Sequence, residues 1–408
     1  MISLKLESAT ANKYINYLFM GYAFCLPISK AGTNLLEILI VLLWVFSDNW
    51  KEKLRLYKEN PFILSISLFI SISIISIFWA NDFLNGLAYI SKYHHLLIIP
   101  AIYLALEKKH INTFLYLFIA GMVVSGVMTH GIYFELWNYK SLSPSQPSAF
   151  MNRVDYSIYL SLSIILVLIQ LVNAVDLKNK LIHLALSLFF MATLFINTGR
   201  TGYVTFIIAF ALFIILSIKN KLKAIIISMS LTSIIVLSAY YFSPNFQQRV
   251  DYTIDDISGV VDQDNYKKPF SIRLSLWIVG FDKIKDNIWG YGIGNDMIDI
   301  QQYAQKRHFD GNFLANQVSD HHNFFITTFI QLGIIGFISL LYIFYTLAKL
   351  KFTSQKYKIL NYIFVTVFIL YTCGGLTLHL MTSMVLFAFI GGLLNATAYL
   401  ENNRVKQS

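Results

Sequence analysis

The chain has 408 residues, 56% of them hydrophobic and 16% aromatic, and only 13% are charged. With a mean hydropathy of +0.58, it falls far from soluble domains, where about a quarter of residues carry charge. This composition excludes an ordinary soluble enzyme and predicts an all-α polytopic integral membrane protein. The excess of 32 Lys+Arg over 22 Asp+Glu would suggest a nucleic-acid partner in a soluble protein. Here it reads as basic loops facing the cytoplasm, with no nucleic acid involved. Two cysteines, Cys25 and Cys373, both lie in apolar stretches, so no disulfide framework is expected.

In chain order, the polar start MISLKLESATANKY has no small-residue cleavage site before the first apolar stretch, which predicts an uncleaved signal-anchor. Apolar spans of membrane-crossing length are expected near 14–29, 33–49, 62–80, 85–106, 111–134, 154–174, 181–197, 202–218 and 222–242. Lys92, His94 and His95 interrupt the fourth. A polar but aromatic-rich segment follows over 243–321, and three further spans are expected at 322–348, 358–377 and 379–398. The chain thus divides into a bundle of about nine helices (1–242), a large loop (243–321), three closing helices (322–398) and a tail (399–408), about twelve spans in all.

Lys and Arg orient the bundle. With the N-terminus inside, every short inside loop is basic: Lys51, Lys53, Arg55 and Lys58; Lys108 and Lys109; Lys178 and Lys180; Lys219, Lys221 and Lys223; Lys349, Lys351, Lys356 and Lys358. The short outside loops carry only Lys30, Lys140, Arg153 and Arg200. Both termini are expected in the cytoplasm and the large loop outside, because long loops translocate regardless of charge.

Candidate chemistry gathers on the outer side. His322 opens the tenth span in DHHNFFITTFIQLGIIGF, and Gly333 and Gly336 follow at offsets that place all three on one helix face. The glycines would sit about 16–21 Å deeper and admit a neighbouring helix. The competing reading is a histidine that merely caps the helix. Arg200, in NTGRTGY, breaks the charge bias of its turn and predicts an anionic partner, lipid phosphate being the bland one. Its flanking glycines leave room for a ligand. Arg273 lies in SIRLSLWIVGFDKIKDNIWGYGIGN, where Ile272, Leu276, Val279 and Ile284 suggest a short amphipathic helix on the membrane surface. GYGIG follows no strand and is no dinucleotide loop. Arg153, Lys92, His321 and Asn323 are possible members of the same outer cavity, as is one of His94 and His95, which point about 100° apart on a helix. Asp262 and Asp264 read as a solvated loop. No metal-ligand cluster faces His322, so neither metal nor cofactor is expected.

The pair His322-Asn323, then nine residues, then Gly333-Ile-Ile-Gly336, on the span after a large loop, resembles the signature of the O-antigen ligase/polymerase superfamily. TGRTGY with Arg200 and SIRLSLW…WGYGIGN with Arg273 are similar to that family as well. SKAGTNLLEILIVLLWVFS resembles its ligase members. The resemblance implies a GT-C-like, metal-independent glycosyltransferase on the periplasmic face of a bacterial inner membrane. Its donor would be an undecaprenyl-diphosphate-linked glycan and its acceptor a sugar hydroxyl of lipid A–core. Arg200 and Arg273 would hold the diphosphate, with His322 as general base. An O-antigen polymerase or a protein O-oligosaccharyltransferase would share these motifs. A lipid-linked glycan flippase would have the spans without the chemistry.

Overall fold

The computed structural model describes residues 7–48, 50–263 and 265–405. It is helical, with no strand among the described residues. The order is α1 (Ser8–Cys25), α2 (Lys30–Phe46), α3 (Trp50–Glu59), α4 (Pro61–Ser76), α5 (Phe83–Ser91), α6 (Ile98–Ala105), α7 (Ile111–Tyr133), α8 (Arg153–Asn173), α9 (Leu177–Ile196), α10 (Arg200–Ser217) and α11 (Lys221–Phe242). Then come α12 (Pro244–Gln263), α13 (Ser271–Asp286), α14 (Ile300–Lys306), α15 (Gly311–Gln317), α16 (Phe324–Ala348), α17 (Gln355–Gly374) and α18 (Met381–Val405). Side-chain caps start many of the long ones, as Asn and Asp favour: Asn60 for α4, Asn152 for α8, Asp176 for α9, Asn220 for α11 and Asn323 for α16.

Among the described residues, nine helices are long and apolar enough to cross a membrane. The sequence led to twelve spans, and the other three meet a helix without reaching that mark. Two of them are α1 and α2. The third, expected at 85–106, is no continuous helix: α5 passes through a 3-10 turn at Lys92–Leu97 into α6.

Small and polar side chains decide which helix lies inside, because apolar residues suit lipid and core equally. Buried α8 carries Ser157, Ser161 and Ser163, and buried α18 carries Ser383, Asn395 and Thr397. In α11, by contrast, the buried residues are Ala224, Ser228 and Ala239, while Leu222, Ile226 and Met229 face outward.

The segment between α11 and α16 holds four helices with a small core of its own, built from Leu276, Val279, Ile300, Ala304 and Leu314. This corrects the surface-helix expectation for α13. Its apolar face is spent on that core and on α16 rather than on lipid, with Leu276 and Val279 fully buried.

A second correction concerns α16. The chain leaves helical geometry at Gly333, with φ 65° and ψ −166°. A straight helix would hold Phe325 and Phe344 roughly 28 Å apart along its axis, yet their rings are 6.1 Å apart. The helix therefore folds sharply at Gly333. His322 precedes it, in the left-handed region at φ 48°, so the shared face of His322, Gly333 and Gly336 does not exist. The loop after α13 fills the break. Tyr291 and Gly292 donate their N–H groups to the Ile330 and Gln331 carbonyls at 2.8 and 2.9 Å, and Ile334 donates to the Ile288 carbonyl at 3.0 Å. Irregular backbone at membrane depth survives only where protein satisfies it in this way. A Cβ on Gly333 would stand 2.3 Å from the Trp289 carbonyl oxygen. Gly333→Ala is therefore expected to cost roughly 1–3 kcal/mol from backbone strain alone and more from the clash. Gly259→Ala, where only atoms 3.8 Å away are met, is the control. Unfolding midpoints in detergent would show it, and equal midpoints would refute the docked loop.

Candidate active site

The turn before α10 is shaped by its contact with α8. A Cβ on Gly199 would meet the Arg153 carbonyl oxygen at 2.3 Å, and one on Gly202 would meet the Ser157 Cβ at 2.0 Å. The glycines around Arg200 thus make room for α8, not for a ligand, and bring Arg200 beside Arg153. Buried Asn197 secures the turn by donating to the Arg153 carbonyl at 2.9 Å. From the other side, Asp256 of α12 accepts the backbone N–H groups of Phe270 and Ser271 at 2.6 and 3.3 Å. It fixes the start of α13 and so the position of Arg273, one turn before Trp277.

These elements enclose a cavity of about 680 Å³ lined by Arg153, Arg200, Arg249 and Arg273. One wall is aliphatic, with Val204, Ile207, Val236, Val250 and Leu370. Arg200 donates to the Thr253 hydroxyl at 3.0 Å, and Arg249 keeps its buried Nε without a partner among the described residues. None of the four forms an ion pair with a described carboxylate within 4.0 Å. Burial pushes the Arg273 guanidinium below its ordinary value, against the pull of Asp320 and with the help of Arg153. Arg153 and Arg200 open their helices, and Arg273 stands in the first turn of its own. The positive end of a helix repels cations, so three arginines there form a field that a bound anion relieves.

His322 sits on the strap before α16. Its backbone N–H donates to Asp320 Oδ1 at 2.6 Å and its Nδ1 lies 3.1 Å from the same oxygen. With Nδ1–H held by the carboxylate, Nε2 keeps its lone pair. Burial raises the Asp320 carboxyl, but the hydrogen bonds from His322 outweigh it and hold it below the usual carboxylate range. The side chain of His322 is 38% exposed, open enough to meet a substrate. The strap adjoins the arginine cavity, since Trp277 lines that cavity and donates to the His321 carbonyl at 3.1 Å.

The remaining expected site residues are placed apart. His321 is fully buried, with Nδ1 3.3 Å from Asp296 Oδ2. Asn323 caps α16, and Lys92 lines a second, smaller cavity with Asp296, Asp320 and His379. Asp262 is exposed at the end of α12, and Asp264 lies outside the described residues. The sequence shows Arg249 and Asp320 within the large polar segment, but sequence reasoning gave neither of them a role in the site. Arg249 and Thr253, one turn apart on α12, share a face, and that spacing was the available signal. Among the described residues, Glu37, His94 and His95 could hold a metal ion, their donor atoms lying within 4.8 Å of one another, but none of them lines either cavity.

Fold and site together define a polytopic helical membrane protein with an arginine-walled cavity, aliphatic on one side, beside a carboxylate-held histidine. Residues 183–341 match the family model of O-antigen ligase, a likeness that supports membership of the O-antigen ligase/polymerase superfamily. The matched stretch contains Arg200, Arg249, Arg273, Asp320 and His322. No curated protein matches the chain.

Proposed function

We propose that this protein is an O-antigen ligase. It would transfer a glycan from undecaprenyl diphosphate to a lipid A–core sugar hydroxyl at the periplasmic face of the inner membrane. The observation that carries this reading is the arginine quartet, without carboxylate partners among the described residues, in a cavity with an aliphatic wall. A diphosphate fits the first and a polyprenyl tail the second. In the reaction the acceptor oxygen attacks the anomeric carbon and loses its proton to His322 Nε2. The bond from that carbon to the diphosphate oxygen breaks, and the electron pair leaves with the phosphate. Guanidinium forks take up the charge that develops there, so the reading routes no step through a metal.

Lipopolysaccharide gels from a deletion strain test it. Cores without any O-antigen are expected. Cores carrying one repeat would favour a polymerase, unchanged lipopolysaccharide with unglycosylated proteins would favour a protein O-oligosaccharyltransferase, and glycan retained on the cytoplasmic side would favour a flippase. The orientation rests on the basic loops, and a reporter fused near Asn265 is expected to signal the periplasm. A cytoplasmic signal there would invert the scheme.

A further inference from the structure

The second cavity, of about 310 Å³, lies just across the strap from the arginines. Gly374 lines the arginine cavity and Leu376 the smaller one. The residue between them, Gly375, accepts the Phe324 N–H at 3.1 Å. Gly375 thus lies in the chain between the linings of the two cavities, and His322, two residues before Phe324, is tied to Asp320 in the wall of the smaller one.

That wall holds an unusual cation. Lys92 Nζ lies 2.8 Å from His379 Nε2 and has no carboxylate within 4.0 Å among the described residues. Both carboxylates of the cavity are already engaged. Asp296 takes His321 and the Gln331 amide at 2.8 Å, and Asp320 takes His322. Tyr89 stacks on His379 at 3.8 Å between ring centroids and fixes the imidazole. Burial first, and then the Lys92 charge, push His379 down to about 4, so it is neutral and accepts from Lys92. Its Nδ1–H is left buried and without a partner among the described residues. A buried donor left unmade is costly, and a cavity wall with a spare ammonium suits an anionic ligand.

Resting on the ligase reading above, we infer that this smaller cavity is the acceptor subsite. It takes a sugar whose hydroxyl faces His322 and whose anionic substituent, phosphate or carboxylate, pairs with Lys92. The donor then occupies the arginine side and the acceptor the Lys92 side, with Gly375 in the chain between them.

The test uses the full-length enzyme in detergent, an undecaprenyl-diphosphate-linked glycan and purified rough-core lipopolysaccharide. The acceptor is offered untreated, dephosphorylated with hydrofluoric acid, or with its carboxylates amidated. Lys92→Ala and Lys92→Gln are expected to raise the acceptor KM about 10- to 100-fold, the worth of one hydrogen bond to a charged group. Donor binding should hold, and Lys92→Arg should restore much of the loss. One of the two treatments should raise the wild-type KM to the same level and erase the difference from Lys92→Ala, which identifies the anion without relying on any variant. Normal KM values in the Lys92 variants, or a wild-type enzyme indifferent to both treatments, would overturn the subsite and leave the ligase reading standing. A wild-type enzyme that transfers to none of the three acceptors would overturn the ligase reading and the subsite with it.

Discussion

Changing Arg200, Arg249 or Arg273 to lysine is expected to slow glycan transfer nearly as much as changing it to alanine, by about 10²–10³. Lysine keeps the charge but loses the planar fork that grips two phosphate oxygens at once. The four guanidinium groups line one cavity, and among the described residues only Arg200 has a side-chain hydrogen bond to the protein there. Losing one should therefore weaken the donor as well as the transition state. The measurement is donor binding and turnover for lysine and alanine variants at each position, after equal accumulation has been shown. A lysine variant with full activity at Arg249 would remove that residue from the diphosphate grip, and full activity at all positions would leave the cavity without its proposed ligand.

Replacing His322 by alanine is expected to leave donor binding intact and to reduce transfer by about 10²–10⁴, the usual worth of a general base. The contrast with the arginine variants is the point, since these should fail in binding too. Asp320→Asn should retain part of the activity. It keeps an oxygen to accept Nδ1–H but loses the negative charge that stabilises the imidazolium formed when the proton arrives. Normal transfer in His322→Ala would reduce His322 to a turn residue, a role its left-handed backbone could fill.

Most of the architecture could be read from the sequence because bilayer insertion is governed by local quantities. Apolar length sets the spans, and Lys51 to Lys58 or Lys349 to Lys358 at their ends are visible one loop at a time. Caps such as Asn60 and Asn152 act within three residues, so the spans expected from 62 and 154 begin within a residue of the observed helices at Pro61 and Arg153. Reasoning failed where a remote segment overrode the local pattern. The stretch from Phe324 to Ala348 reads as one apolar helix, and nothing within it announces a fold at Gly333. The break is stable only because the loop at 288–292, from another part of the chain, satisfies the freed backbone.

For the site, the sequence by itself determined the residue types: arginines in a turn and a loop, a His-Asn before an apolar span. It placed Arg200 and Arg273 in one group. It offered Arg153 as a possible neighbour, and only the tertiary structure decided that Arg153 and Arg249 line one cavity with them, that Lys92 and His379 meet at 2.8 Å, and that Asp320 holds His322. The reason is physical. An ion pair or an anion cavity depends on distances of a few ångströms between segments separated by tens or hundreds of residues. Those distances are set by helix packing, down to the missing Cβ atoms of Gly199 and Gly202 that let α10 lie against α8.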